Sequence, residues 1–130
     1  MSLIVDASIL VDLYLSAIAV ESISARIRGE VLHAPVTIDA EVVHTLRRHC
    51  LAKSVTVEQA EGALELFSRT PINRYSVESL IRRMWAMRQN ITAYDAAYVA
   101  LAESLNVPLI TRDRRLSRSS GHAARIEYID

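Results

Sequence analysis

The sequence predicts an α/β fold, a three-layer α/β/α sandwich around a central, mostly parallel sheet of four to five short strands. Two observations carry that prediction. Brief apolar runs alternate along the chain with longer segments of helical period, and strands separated by helices pair in parallel, with both faces of the sheet covered. No repeat, linker or low-complexity stretch interrupts the alternation, so the 130 residues are expected to form a single domain, 1–130.

Residues 3–5 are an apolar run closed by Asp6, after which Ala7-Ser8 lead into Ile9, Leu10, Leu13 and Tyr14 at helical spacing. The pattern is strand, acidic turn, helix. A second helix is expected over 18–28, stopped by Gly29, and a second strand over 31–33 ahead of Pro35. From 37 to about 49 the apolar Ile38, Val42, Val43 and Leu46 share one helical face. Residues 57–67 repeat that spacing through Ala60, Ala63 and Leu64, with Glu58, Glu61 and Glu65 around the outside. A third strand over 72–75 follows Pro71, and a helix over about 77–87 comes next. Thr92 then precedes an alanine-rich helix over 93–105, Asn106 ends it, residues 107–111 form a strand, and Arg112-Asp113 make the exit turn. A final strand is expected over 125–129, after the Ser119-Ser120-Gly121 loop.

Composition narrows the function. Hydrophobic residues make up 51% and charged residues 23%, the balance of a folded protein with a real core. Fifteen Lys+Arg against fifteen Asp+Glu leave no net charge, so a nucleic-acid partner has to be met by a local patch. Cys50 is the single cysteine, which excludes an internal disulfide and a cysteine-rich zinc site and suits a reducing, cytoplasmic setting. The apolar start is broken by Asp6 and Asp12 and has no basic leader, so a signal peptide is not expected, and no run approaches the roughly 20 apolar residues of a membrane span.

Four acids stand where such a fold places its ligands, outside the carboxyl ends of the strands. Asp6 closes the first strand, and Asp113 follows the strand that ends at Thr111. Glu41 and Asp95 lie in the opening turns of helices that can begin near the same crevice. Two carboxylates about 5 Å apart repel by roughly 3 kcal/mol at an effective dielectric of about 20, so four converging acids need a cation. Hard oxygen ligands without clustered cysteine or histidine point to Mg²⁺ or Mn²⁺, ions suited to phosphodiester hydrolysis. Each acid also has a local role open to it: Asp6 as a helix cap, Asp95 in the Thr-x-x-Asp variant of a capping box, Glu41 at the helix dipole and Asp113 in a turn. Glu41 borders the apolar stripe of its helix and there needs a partner, whereas Asp12, Asp39 and the glutamates of 57–67 read as solvated.

The residues Ile4-Val5-Asp6-Ala7-Ser8, the run from Tyr94-Asp95-Ala96-Ala97-Tyr98 through Ala102, and Leu109-Ile110-Thr111-Arg112-Asp113 closely resemble the PIN-domain family, and within it the bacterial VapC toxins of type II toxin-antitoxin pairs. The resemblance spans essentially the whole chain. It implies that Asp6, Glu41, Asp95 and Asp113 are metal ligands and catalytic, with Ser8 orienting Asp6 and Thr111 supporting the site. It further implies metal-dependent endonucleolytic cleavage of RNA, dimerisation, and silencing by a VapB-like antitoxin in a hetero-oligomer.

Arg112, Arg114, Arg115 and Arg118 crowd around Asp113 and form the preferred segment for gripping an RNA backbone, with Arg47, Arg48, His49 and Lys53 as a second basic stretch. With one Trp, one Phe and five Tyr, an extended base-stacking platform is not indicated. Tyr94 and Tyr98 read as core, Trp85 as core or interface, and none of the four histidines is given a catalytic role. The nearly continuous Ile9, Leu10, Val11, Leu13, Tyr14 and Leu15 imply burial either against a partner chain or wholly inside the fold. Other classes fit less well. A phosphoacceptor receiver wants an Asp after its third strand and a Lys after its fifth, a haloacid-dehalogenase-like phosphatase wants Asp-x-Asp after the first, and a non-catalytic RNA- or protein-binding module on the same fold remains the main alternative.

Overall fold

The structure is a computed structural model and describes residues 1–16 and 20–130. Among them, strands β1 (Ser2–Val5), β2 (Val31–Pro35), β3 (Asn73–Tyr75), β4 (Leu109–Thr111) and β5 (Ile126–Tyr128) form one sheet in the order β3-β2-β1-β4-β5. Every adjacent pair is parallel. The helices are α1 (Ala7–Leu15), α2 (Val20–Ile27), α3 (Ile38–Leu51), α4 (Val57–Ser68), α5 (Ile81–Ala86), α6 (Ala93–Leu105) and α7 (Arg114–Ser117). Because the chain first steps from β1 toward β3 and then from β4 toward β5, right-handed crossovers put α1–α4 on one face and α5–α7 on the other. Accordingly α1 packs on α2, α3 and α4, while α6 packs on β1, β2, β4 and α5.

Burial explains the composition of the central elements. Leu3, Ile4 and Val5 are buried together, as a strand covered on both faces requires. In α6 every residue from Ala96 to Ala102 is buried, and its small alanines let the helix lie close against the sheet. The apolar run of α1 is taken up within the chain: Ile9, Leu10 and Val11 are buried, and Leu13, Tyr14 and Leu15 pack partly buried against the same core. Asn106 ends α6 in the left-handed conformation at φ 53°, and Gly29 follows α2 at φ 75°.

Several expectations need correction. The strand expected over 31–33 runs on to Pro35, which stands at its last position, where a missing N–H does least harm. The strand expected from 107 starts at Leu109, since Pro108 has no N–H for the ladder, although its carbonyl accepts from Ile4 N at 2.8 Å. The helix expected over 77–87 divides into a 3₁₀ turn, Glu78–Leu80, and α5, with Leu80 and Met87 buried at the two ends of the stretch. The exit turn after β4 continues into α7, too short for any periodicity to reveal. Ile18, the expected start of the second helix, lies outside the described residues. Trp85 and Tyr94 are exposed, by 67% and 69%, so neither belongs to the core. Asp12 is half-buried and ion-paired with Arg112 at 2.6 Å, whereas Asp39 is exposed as expected and also pairs with Arg74 at 2.8 Å.

Candidate active site

Strand order reverses at β1, so the crevice outside the carboxyl ends of β1 and β4 is the place where an open α/β sheet binds ligands. The register Ile4↔Leu109 and Val5↔Ile110 brings the next pair, Asp6 and Thr111, side by side although 105 positions separate them. Thr111 Oγ1 donates to Asp6 Oδ2, and Ser8 Oγ donates to Asp6 Oδ1 at 2.6 Å. Each hydroxyl also receives a backbone N–H from the turn after β4: Asp113 N reaches Thr111 Oγ1 at 3.0 Å, and Arg112 N reaches Ser8 Oγ at 3.2 Å. A hydroxyl has one hydrogen, so with its lone pairs so engaged that hydrogen is directed at Asp6. Asp6 Oδ1 also accepts Ile9 N at 3.1 Å, and the capping role open to it in the sequence coexists with the site.

Burial pushes the Asp6 carboxyl up to about 6, against the three hydrogen bonds that favour its charge and with the charge of Asp95 adding to the rise. Glu41 lies in the first turn of α3, where its Oε2 accepts the Tyr98 hydroxyl at 2.8 Å. Its Oε1 is buried with no hydrogen-bond partner among the described residues. Thr37 Oγ1 is also buried without a partner and is close enough to act on the charge of Glu41. Burial raises the Glu41 carboxyl, and the charges of Asp6 and Asp95 raise it further. For Asp95 burial again leads, followed by the charge of Asp113. The four acids are therefore in electrostatic range of one another, linked as Asp6 with Asp95 and Glu41, Glu41 with Asp95, and Asp95 with Asp113.

Local capping holds two of these side chains differently. Thr92 accepts Asp95 N at 3.2 Å, yet the Asp95 carboxylate does not complete the box among the described residues; Thr56 and Gln59 of α4 complete theirs. The Thr92 hydroxyl also favours the charge on the Asp95 carboxylate. Asp113 caps α7, with Oδ1 accepting Arg115 N at 2.9 Å and Leu116 N at 3.3 Å. As the side chains stand, no group of three or more His, Cys, Asp or Glu among the described residues is drawn together tightly enough to hold a metal ion.

The arginines around Asp113 divide. Arg112 is tied to Asp12, and Arg114 lies over the Tyr128 ring at 4.6 Å and 3.8 Å from Asp130. Arg115 acts on Asp95, lowering its pKa, and lines a cleft of about 370 Å³ with Asp95, Thr92, Asn90 and Arg88. Arg118 is exposed and lines neither cleft beside the acids. A second cleft, of about 520 Å³, adjoins Glu41 and is bordered by Ala7, Ala40, His44, Arg48 and Tyr94.

The PIN domain family profile matches residues 3–121. The chain belongs to the PIN-domain family. It is 37% identical over 127 residues to Ribonuclease VapC12 of Mycobacterium tuberculosis, covering 98% of each chain. It is 41% identical over 132 residues to Ribonuclease VapC1 of the same organism, covering 97% of this chain and 96% of the relative. Among solved structures, the VapBC2 complex of Rickettsia felis bound to a promoter DNA fragment superposes with a TM-score of 0.69 at 15% identity over the full length of both chains. PAE2754 from Pyrobaculum aerophilum gives 0.66 at 22% identity, covering 97% of this chain and 83% of the other. At those identities the structural likeness is one of fold.

Within this PIN domain, sequence reasoning missed Tyr98 as a partner of Glu41 and missed Arg88 and Tyr94 as walls of the clefts. Tyr98 is a core residue, as expected, but its hydroxyl reaches out of the core to an acid 57 positions away. Its position one helical turn after Asp95 was the signal available, because i and i+3 share a face.

Proposed function

We propose that this PIN domain is a metal-dependent endoribonuclease, the toxin of a VapBC-type pair, with Asp6, Glu41, Asp95 and Asp113 holding Mg²⁺ or Mn²⁺. The observation that carries the reading is the mutual influence of Asp6, Glu41 and Asp95, each raised by burial and then by a neighbouring carboxylate, Asp113 acting on Asp95, with one Glu41 oxygen buried. An all-oxygen donor set of this kind fits a hard divalent cation. When bound, such an ion lowers the pKa of water and stabilises charge on the leaving oxygen of a phosphodiester.

The chain's own groups have distinct tasks in that reading. Asp6 is the most rigid ligand, fixed by Ser8, Thr111 and Ile9 N, and sets the position of the others. Tyr98 fixes Glu41 through Oε2, which leaves Oε1 for the ion. Asp95 and Asp113 complete the set from α6 and the start of α7, and Arg115 offsets part of the charge on Asp95 and stands ready for a phosphate. Cleavage by water at such an ion needs no covalent enzyme intermediate. An antitoxin that covers the acids would silence the enzyme, and homodimerisation belongs to the same proposal. No helix among the described residues is long and apolar enough to cross a membrane.

The test is cleavage of total cellular RNA by the purified, antitoxin-free protein in Mg²⁺, in Mn²⁺ and in EDTA, with Asp6→Asn alongside. Discrete fragments in either metal, lost in EDTA and in the variant, are expected. Equal degradation by wild type and Asp6→Asn would refute the assignment.

A further inference from the structure

The two clefts flanking the acids are lined by Arg48 on the Glu41 side and by Arg88 and Arg115 on the Asp95 side. No carboxylate among the described residues holds any of these three, whereas Arg26, Arg69, Arg74, Arg83 and Arg112 are each paired with an acid. Arg88 stacks on the Trp85 ring at 4.7 Å and donates to the Trp85 carbonyl, and Arg115 acts on Asp95, yet none of the three cations is closed off by an ion pair and they lie on both sides of the acidic centre. A polyanion crossing the centre would meet one on entering and on leaving.

The clefts differ in chemistry. Arg88, Gln89, Asn90 and Arg115 give the first a polar wall suited to a sugar-phosphate backbone. The second combines the small apolar Ala7 and Ala40 with Tyr94 from α6 and with His44 and Arg48 from α3. Ala40, His44 and Arg48 recur every four residues and so form a stripe along one face of α3. Arg48 stands seven positions beyond Glu41, roughly 10 Å of helix rise, too far to serve the phosphate held at the acids and well placed for a neighbouring one. Tyr94 is the large apolar side chain in the exposed first turn of its helix: it is 69% exposed, while Ala96 to Ala102 are all buried. A ring kept in water between cationic and apolar groups matches the alternation of phosphate and base along a single strand.

We propose that the cleft of Tyr94, His44 and Arg48 is a nucleotide subsite for unpaired RNA, in which one base stacks on the Tyr94 ring and Arg48 binds the phosphate next to the scissile one. The proposal rests on the ribonuclease reading above and adds a requirement to it. A base inside a duplex cannot offer its face to Tyr94, so the strand has to be single at this position. One exposed tyrosine serves one base, which agrees with the scarcity of aromatic residues in the chain.

The proposal is tested by fluorescence anisotropy of short, labelled single-stranded RNAs in EDTA, where cleavage is silent, using wild type, Tyr94→Ala, Tyr94→Phe and Arg48→Ala. Tyr94→Ala should weaken binding on the order of tenfold, and Tyr94→Phe should stay near wild type because the ring and not the hydroxyl does the stacking. Arg48→Ala should weaken all sequences alike and reduce the slope of log affinity against log salt by about one. Both side chains are exposed, and unchanged melting temperatures with unchanged Mn²⁺-induced stabilisation separate lost contacts from lost folding. Wild-type affinity in Tyr94→Ala, or a loss in Tyr94→Phe as large as in Tyr94→Ala, overturns the subsite. If wild type cleaves RNA and Tyr94→Ala does so with the same KM, the subsite fails and the ribonuclease reading stands. If binding depends on Tyr94 but no RNA is cut in either metal, the ribonuclease reading fails and the subsite stands. Intact RNA affinity with loss of a bound protein partner overturns it in favour of protein docking.

Discussion

Asp6→Asn tests the physical core of the site more sharply than loss of activity does, because it should stabilise the metal-free protein. Burial lifts the Asp6 carboxyl from 3.8 to about 6. Each unit corresponds to 1.36 kcal/mol, so keeping Asp6 ionised in the empty fold costs about 3 kcal/mol. The sign follows from the raised value. The favourable contribution is fully present below the unfolded value of 3.8 and is lost as pH rises through about 6. Asparagine removes the charge but returns only part of this energy. Ser8 and Thr111 both direct their hydrogens at residue 6, and one of them would then face an amide N–H. A net gain of about 1–2 kcal/mol at pH 7.5 remains, a rise in Tm of roughly 5 °C for a chain of this size. Thermal melts of wild type and variant in EDTA across pH 4 to 7.5 would read it. The gap should close toward pH 4, and Mn²⁺ should raise the Tm of wild type far more than that of the variant. A variant that melts below wild type at pH 7.5, or a gap independent of pH, would show that the Asp6 charge is not a burden on the empty fold.

Two further substitutions probe the supports. Tyr98→Phe removes the 2.8 Å donor to Glu41 Oε2 and leaves Thr37 as the hydroxyl beside that carboxylate; urea unfolding should show a loss of about 1–3 kcal/mol, and Mn²⁺ titration a weaker affinity, with an unchanged affinity arguing against Glu41 as a ligand. Thr111→Val keeps the shape but removes the donor to Asp6 and the acceptor of Asp113 N, so cleavage should fall roughly 10–100-fold while Thr111→Ser retains most of it, measured as initial rates on one RNA.

Local chemistry made much of the fold legible. The run closed by Asp6, the Thr92 cap, the alanine-rich helix and its Asn106 stop were readable because caps, periodicity and left-handed stops act over a few residues. The errors fell where local signals are short or misleading: the four-residue α7, the strand shortened by Pro108, and Tyr94, whose spacing with Tyr98 suggested core although it stands exposed in the first turn of α6. The acids themselves could be singled out in sequence because each ends a strand or opens a helix.

What the sequence determined by itself is therefore the set of elements and the short list of acids at their ends. Which of those groups meet was decided only by the order β3-β2-β1-β4-β5 and its register. That order sets Thr111 against Asp6 and lets Tyr98 reach Glu41, and it leaves Arg115 beside the acids while Asp12 claims Arg112. The physical reason is range. Capping and periodicity are settled between neighbours in the chain, but burial, charge repulsion and hydrogen bonds between distant residues exist only once the strands have chosen their partners.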